Sequence, residues 1–251
     1  MTLTYRAALE VAAHEALVRQ TYKDSVGVPT WCVGMTNATG HRVERYVGNP
    51  APLQHCMNVF VWALRAYAKQ VDEAFAGHRL NEHQYVAALS FHWNTGKIKQ
   101  AAWVEHWKAG RVAQARQAFM NWVTPKEITV RRQKERDLFF DGKWTGDGTM
   151  TEYTRVRANM TPDWSSARRI SVDKELRAAF AGNPPVTVDQ PALPDSVAQA
   201  PTLTPSAVKP GVLVLVALAV AAAGAWLLRR IRGQRSNEPV VLPADDTPAD
   251  Q

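Results

Sequence analysis

Cysteine is nearly missing from this chain of 251 residues: Cys32 and Cys56 are its two examples. Two cysteines exclude a disulfide framework, and their spacing matches no zinc motif. They read as separate reduced thiols, with Cys32 a small inert strand residue. The alternative is a regulatory disulfide between them in an oxidising compartment. The first 18 residues carry Arg6, Glu10 and Glu15 and lack an unbroken apolar stretch, so no secretory signal is expected there. Also missing is any basic run interleaved with aromatics, so nucleic acid is not an expected partner. No cofactor and no metal are expected.

What is present is ordinary for a globular protein, with 46% hydrophobic residues arguing against wholesale disorder. Nine tryptophans are many for this length; they suit carbohydrate clefts and large helical cores alike. A net charge of +7 suits an anionic partner, here a bacterial wall or a membrane face.

Composition divides the chain. Residues 1–145 have the pattern and turn signals of a compact domain. Residues 146–182 are more polar, with Arg155, Arg157, Arg168 and Arg169, and read as a helical extension; 171–180 has helical spacing and ends at Gly182. Residues 183–210 hold seven prolines and little to bury, the signature of a linker. Extended, it reaches on the order of 80 Å. Residues 211–228 are uncharged and apolar, about the length needed to cross a bilayer, and read as a transmembrane helix with Trp226 near one end. Residues 229–251 form a basic, then polar, tail. Its Arg229, Arg230, Arg232 and Arg235 favour a cytoplasmic C-terminus. That places the N-terminal domain outside with nothing to direct its export, and the topology stays open.

The chemistry concentrates near the N-terminus, in Glu15-x8-Asp24-x5-Thr30. Residues 7–19 have apolar positions Leu9, Ala12, Ala13, Ala16 and Leu17 at helical spacing, with Glu15 near the helix end. Gly27 and Pro29 mark a turn. Residues 30–36 read as a strand, Asn37 and Gly40 as the next turn, and 41–46 as the return strand. A helix followed by a small hairpin gives a cleft with Asp24 and Thr30 on the wall opposite Glu15. Two carboxyls and a hydroxyl in one cleft are the parts needed to break a glycosidic bond with water: one carboxyl donates a proton and the other stays charged. An exposed helical glutamate is the plain alternative for Glu15 taken alone.

This spacing resembles the catalytic signature of phage-type lysozymes. Tyr22-Lys23-Asp24 and Gly27 are similar to that family's loop. Asn81 to Gly96, with Phe91-His92-Trp93-Asn94-Thr95-Gly96 at its end, resembles the family's central helix. Trp122, Arg131, Arg132, Glu135 and Asp141-Gly142-Lys143-Trp144 look like its C-terminal helices. The resemblance covers about residues 5–145. Two positions depart from it: Met35 stands where the family often has histidine, and Ala16 where it has glycine after the catalytic glutamate. The resemblance implies an α+β, mainly helical lysozyme-like domain with a small β-hairpin lobe, here followed by the transmembrane helix. It also implies a muramidase, inverting at the β-1,4 bond between N-acetylmuramic acid and N-acetylglucosamine. Glu15 is then the general acid, Asp24 the ionised stabiliser and Thr30 the residue that orients water. The implied setting is a monomeric, membrane-anchored lysis enzyme acting on periplasmic peptidoglycan. The alternatives are a virion lysin for genome entry, a lytic transglycosylase, and a non-catalytic tethered wall-binding protein.

Other positions carry weaker expectations. His14 reads as a surface histidine rather than a proton partner of Glu15, because neighbouring helical residues point different ways. Asn94 and Gly96 either shape the cleft floor or end a helix. Trp93, Trp103, Trp107 and Trp122 read as core, and Trp31 as core sooner than substrate contact. Arg131, Arg132 and Arg136 with Glu135 and Asp137 read as a solvated, paired helix face, or else as a contact for wall carboxylates or membrane.

Overall fold

The computed structural model describes residues 2–24, 27–124 and 126–182. The linker, transmembrane helix and tail expected over 183–251 lie outside the described residues. Among the described residues no helix is long and apolar enough to cross a membrane.

Helix α1 spans Tyr5–Ala13 and begins at Thr4, whose hydroxyl accepts from the Ala7 N–H at 3.1 Å. Ala7, Ala8, Val11 and Ala12 form its buried stripe. It ends earlier than the 7–19 spacing suggests. The His14 and Glu15 N–H groups close the last turn on Val11 and Ala12, and the chain enters strand β1, Ala16–Lys23. Ala16, Leu17 and Val18 are buried in succession. A strand covered on both faces shows no alternation, so its apolar run fits either period.

Strand β1 pairs antiparallel with β2, Pro29–Cys32, which pairs antiparallel with the two-residue β3, Met35–Thr36. The expected return strand at 41–46 is instead irregular, with 3-10 turns at Asn37–Thr39 and Val43–Tyr46. Local polar contacts hold this segment: Asn37 Oδ1 accepts from the Val43 N–H at 3.0 Å, and the Thr21 hydroxyl donates to the Val43 carbonyl. A ladder at those positions would have to displace these bonds.

Residues 146–182 are not a helical extension. They supply β4 (Thr149–Tyr153), β5 (Ala167–Ser171) and then a single helix ending the described chain, Asp173–Ala181. Strand β4 runs parallel to β1 and antiparallel to β5, giving a mixed sheet in the order β3-β2-β1-β4-β5. Buried Glu152 on β4 joins the halves, bonding Arg19 of β1 at 2.5 Å and Arg168 of β5 at 2.7 Å.

The rest is helical. Helix α2 (Leu53–Ala74) packs on α3 (Glu82–Thr95), which is almost wholly buried and also lies against α6 (Thr129–Asp141). A capping box of Asn81 and Gln84 starts α3, and Gly96 ends it. Helices α4 (Ala102–Lys108) and α5 (Val112–Phe119) close the far side, and α7 (Asp173–Ala181) returns onto α1 and α2. Phe91, Trp103, Phe119 and Phe139 form an aromatic centre of edge-to-face and tilted pairs, with ring centroids from 4.6 Å (Trp103–Phe119) to 6.4 Å (Phe119–Phe139). Trp103 is core as expected, and Trp107 and Trp122 pack on it.

Buried Glu10 of α1 clasps the strand-bearing segment to the helices. Its carboxylate accepts from the Thr145 N–H and hydroxyl and, at 2.6 Å, from the Gly146 N–H. The approach is close at Gly146, where a Cβ would lie 3.0 Å from the Glu10 Cα, tighter than ordinary contact. Burial alone would raise the Glu10 pKa; contact with His14 and the Thr145 and Gly146 donors overcome it and hold the pKa at about 2. A depressed carboxyl stabilises the fold above its unfolded pKa, and that contribution vanishes as pH falls through about 2. We therefore expect Glu10→Gln to destabilise the protein by roughly 2–3 kcal/mol at pH 7. In denaturant titrations between pH 7 and pH 2 the gap to wild type should close on acidification; a gap independent of pH would contradict this account.

Candidate active site

Glu15 is the junction residue between α1 and β1. Its side chain is 4% exposed and lines a cleft with Gly34, Thr36, Thr39, Tyr67, Trp93 and Asn94. Gly34 takes the β2–β3 turn with φ +80°, which lets the backbone pass close to the carboxyl; a Cβ there would lie 3.8 Å from Glu15 Oε2.

Behind Glu15 stands Arg131, on the first turn of α6. Arg131 Nη1 donates to Glu15 Oε1 at 2.6 Å and Arg131 Nε to Glu135 Oε1 at 2.8 Å. The Ser90 hydroxyl of α3 donates to the same Glu135 oxygen at 2.6 Å. Arg132 donates to the other Glu135 oxygen, to Asn94 Oδ1 at 2.6 Å and to the Trp122 carbonyl at 3.1 Å. Its guanidinium lies 4.5 Å from the Phe91 ring centroid. Arg131, Arg132 and Glu135 are all buried, which overturns the solvated helix face expected for them. They fall at core spacing with Ile128, Leu138 and Phe139, which are buried on the same helix face. Their register with those apolar residues was the available sign that they point inward.

The two carboxyls respond oppositely. Burial raises both, but Glu135 has two guanidiniums and is held below the ordinary carboxylate range. Glu15 shares one arginine with Glu135, so burial prevails and its pKa rises.

Asp24 follows β1 and fastens the next turn. Its N–H donates to the Val28 carbonyl at 3.1 Å, and its Oδ1 accepts from the Val28 N–H at 2.9 Å. Thr30, fully buried on β2, donates from its hydroxyl to the Val28 carbonyl at 3.0 Å and pairs across the ladder with Tyr22. Neither Asp24 nor Thr30 lines the cleft that Glu15 faces. The link is Tyr22. Burial raises its phenol pKa, and so do the charges of Glu15 and of Asp24. Tyr22, a residue whose role the spacing alone did not reveal, thus pairs with Thr30 and carries the electrostatic influence of both carboxyls.

Other expectations fare differently. Asn94 and Gly96 both line the cleft, and Gly96 also ends α3. Trp93, expected in the core, is partly exposed and lines the cleft beside Tyr67, centroids 4.9 Å apart. Trp31 is fully buried, stacked on Tyr46 at 3.9 Å, and offers substrate nothing. Cys32 and Cys56 are free and buried. His14 is not a surface residue: its side chain is 4% exposed.

The described fold resembles an endolysin from Escherichia coli O157:H7 phage FAHEc1, with a TM-score of 0.52 and 19% identity over 58% of this chain and 97% of that one. Similar but lower-scoring structures are the muramidase domain of SpmX from Asticaccaulis excentricus (TM-score 0.47, 20% identity, 55% and 97% covered) and a P22 lysozyme mutant (TM-score 0.46, 21% identity, 56% and 99% covered). No curated protein matches the sequence. Residues 12–136, which hold Glu15, Asp24, Thr30 and the Arg131–Glu135 network, match the phage lysozyme family. This domain belongs to the phage lysozyme family, and the chain is a lysozyme-type glycosidase.

Proposed function

We propose that the chain hydrolyses the β-1,4 bond between N-acetylmuramic acid and N-acetylglucosamine in bacterial peptidoglycan, with inversion. The observation that carries this reading is a cleft-facing glutamic acid whose burial outweighs its one shared arginine, so it keeps a proton above the ordinary carboxylate range. That is the requirement for an acid that must be loaded before the bond breaks. Glu15 donates this proton to the leaving glycosidic oxygen. Asp24, ionised, stabilises the oxocarbenium-like charge and takes up the proton of the attacking water.

Thr30 orients that water. Its hydrogen is given to the Val28 carbonyl, so it can meet the water only as an acceptor. A water that donates both hydrogens, to Thr30 and to Asp24, keeps a lone pair for attack. Thr30 is fully covered, so the contact requires the Asp24–Val28 closure to give way when substrate enters. The cleft-lining pair Tyr67 and Trp93 gives a sugar ring an apolar surface.

The biological setting we infer is host lysis by a monomeric enzyme that 211–228 tethers to the inner membrane, with 183–210 giving reach to the wall. A virion lysin shares the same chemistry; the presence of the protein in purified particles separates the two.

Glu15→Gln keeps the shape of the site and removes the acid. Its rate on purified peptidoglycan should fall at least 100-fold. Wild-type products should carry reducing ends of inverted configuration; a retained rate in the variant, or anhydro ends in the wild type, would defeat the assignment. Arg131→Met should cost about 3–5 kcal/mol at pH 7, because it leaves the buried, ionised Glu135 carboxylate with one guanidinium in place of two. Chemical denaturation at pH 7 tests this, and an unchanged midpoint would contradict the account.

A further inference from the structure

Both ends of strand β1 are held by one segment, and that segment lies beyond the family match, which ends at 136. At the start of β1, next to Glu15, Ala16 and Leu17 pair in parallel with Thr151 and Glu152 of β4. At its end, next to Asp24, the Lys23 N–H donates to the Met160 carbonyl at 2.7 Å. Met160 belongs to the hairpin, residues 154–166, that joins β4 to β5. The following amide, that of Asp24, donates instead to the Val28 carbonyl at 3.1 Å. The chain at Asp24 is thus fastened twice, to the hairpin through Lys23 and to its own turn through Val28.

The hairpin is firmly built. The Met160 N–H donates to the Arg157 carbonyl and the Arg157 N–H to the Thr161 carbonyl, both at 2.8 Å. Val156 bridges to Pro162, and the Asp163 carboxylate accepts from Arg155 at 2.8 Å and from Arg157 at 3.2 Å. Trp164 meets Tyr153 edge-on, with centroids 5.0 Å apart. Together with Val156 they pack on Ala16, Val18 and Tyr22 of β1, a small core separate from the main one. Met160 takes φ +64°, a left-handed conformation unfavourable to any residue with a Cβ. The fold retains it at the residue whose carbonyl receives the Lys23 amide.

We propose that this hairpin is a positioning element for the reaction: β4 and Met160 fix the two ends of β1 and so set the separation of Glu15 and Asp24. The inference rests on those two carboxyls being the acid and the ionised stabiliser. Inverting hydrolysis needs roughly 6.5–9.5 Å between the carboxyls to admit the water. Between its two fastenings β1 carries the register slip from Val18 to Tyr22. A strand with surplus residues there is free to lengthen or shorten, and the hairpin removes that freedom. Met160 and Trp164 act through Asp24 and need no contact with substrate.

The test compares Met160→Gly and Met160→Pro in the full chain on purified peptidoglycan. Glycine takes the left-handed conformation freely and leaves the carbonyl in place, so Met160→Gly should keep kcat within about twofold of wild type. Proline is locked near φ −65° and has no N–H for Arg157, so the tip must rearrange and withdraw its carbonyl. Met160→Pro should lower kcat at least 10-fold with KM within about twofold of wild type, rates being normalised to the folded fraction from circular dichroism. Trp164→Ala loosens the seat without altering the tip; it should lower kcat in the same sense and takes the place of the proline variant if that one does not fold. Hydrogen exchange by NMR supplies a readout that plain destabilisation does not reproduce. The Lys23 amide and the Val28 amide, which donates to Asp24 Oδ1, should exchange at least 10-fold faster in the low-kcat variant, while amides of α3 keep wild-type rates. Equal acceleration throughout, or an unchanged normalised kcat once the Lys23 amide is freed, would reduce the hairpin to a cover for β1 and overturn the proposal. If Glu15→Gln or Asp24→Asn keeps the wild-type rate, the carboxyl assignment itself has failed, an outcome distinct from an unmoved kcat in the hairpin variants.

Discussion

One guanidinium shared between two buried carboxyls is the constraint on which the site depends. Arg131 reaches Glu15 at the end of α1 and Glu135 on its own helix, and so fixes α6 to the α1–β1 junction. Burying such charges is unfavourable unless each is paired and hydrogen-bonded, and this group meets that condition through Ser90, Asn94 and the Trp122 carbonyl. The sharing is also what separates the two acids. Glu135, gripped by two arginines, is a fixed anion; Glu15, with half a claim on one, is an acid that burial keeps loaded. The helices beneath the cleft therefore do more than carry the site. They set the protonation of its key residue.

The sheet supplies the other half. Strand β1 leads out from Glu15 and is flanked by β2 on one side and β4 on the other. The family match ends at 136, yet β4 and β5 at 149–171 complete the sheet beside β1. Glu152 secures that side of β1 through Arg19, and Glu10 secures the approach to β4 through Thr145 and Gly146. Residues 146–182 thus belong to the body that presents Glu15, and no structural boundary separates them from it.

Much of this was legible beforehand, for definable reasons. The Glu15, Asp24 and Thr30 spacing and the central helix with its Asn81 start and Gly96 end are local features, set by short-range chemistry. What escaped were properties of packing across the chain. The side chains of Arg131 and Glu135 look like a solvated face until their register with Leu138 and Phe139 is compared. His14 looks exposed until Glu10 and α6 enclose it. The strand identity of 16–23 depends on β4, more than a hundred positions away, and the strands of 149–171 were hidden in a polar stretch whose arginines cover an exposed edge, as β5 shows. Met35, where the resemblance led one to expect histidine, is simply buried, and the aromatic cluster of Trp31, Tyr46, His41 and His55 stiffens that lobe instead.

How far apart Glu15 and Asp24 stand along β1, across their nine positions of separation, is a matter of register. An unbroken strand of that length would part them by roughly 30 Å. Here the ladder slips. Val18 faces Cys32 and Tyr22 faces Thr30, so β1 uses four steps where β2 uses two. The surplus forms an irregularity that shortens β1 by roughly 7 Å. The carbonyl it frees at Arg19 accepts from the Trp31 indole at 2.9 Å and the Ala51 N–H at 2.8 Å. The slip also explains why Tyr22 can pair with Thr30 while sensing both carboxyls. The number of residues between Glu15, Asp24 and Thr30 thus has a structural meaning: it must cover the strand, the slip and the turn together. An insertion or deletion within β1 would turn Tyr22, Asp24 and Thr30 away from Glu15 even if every residue of the signature were kept.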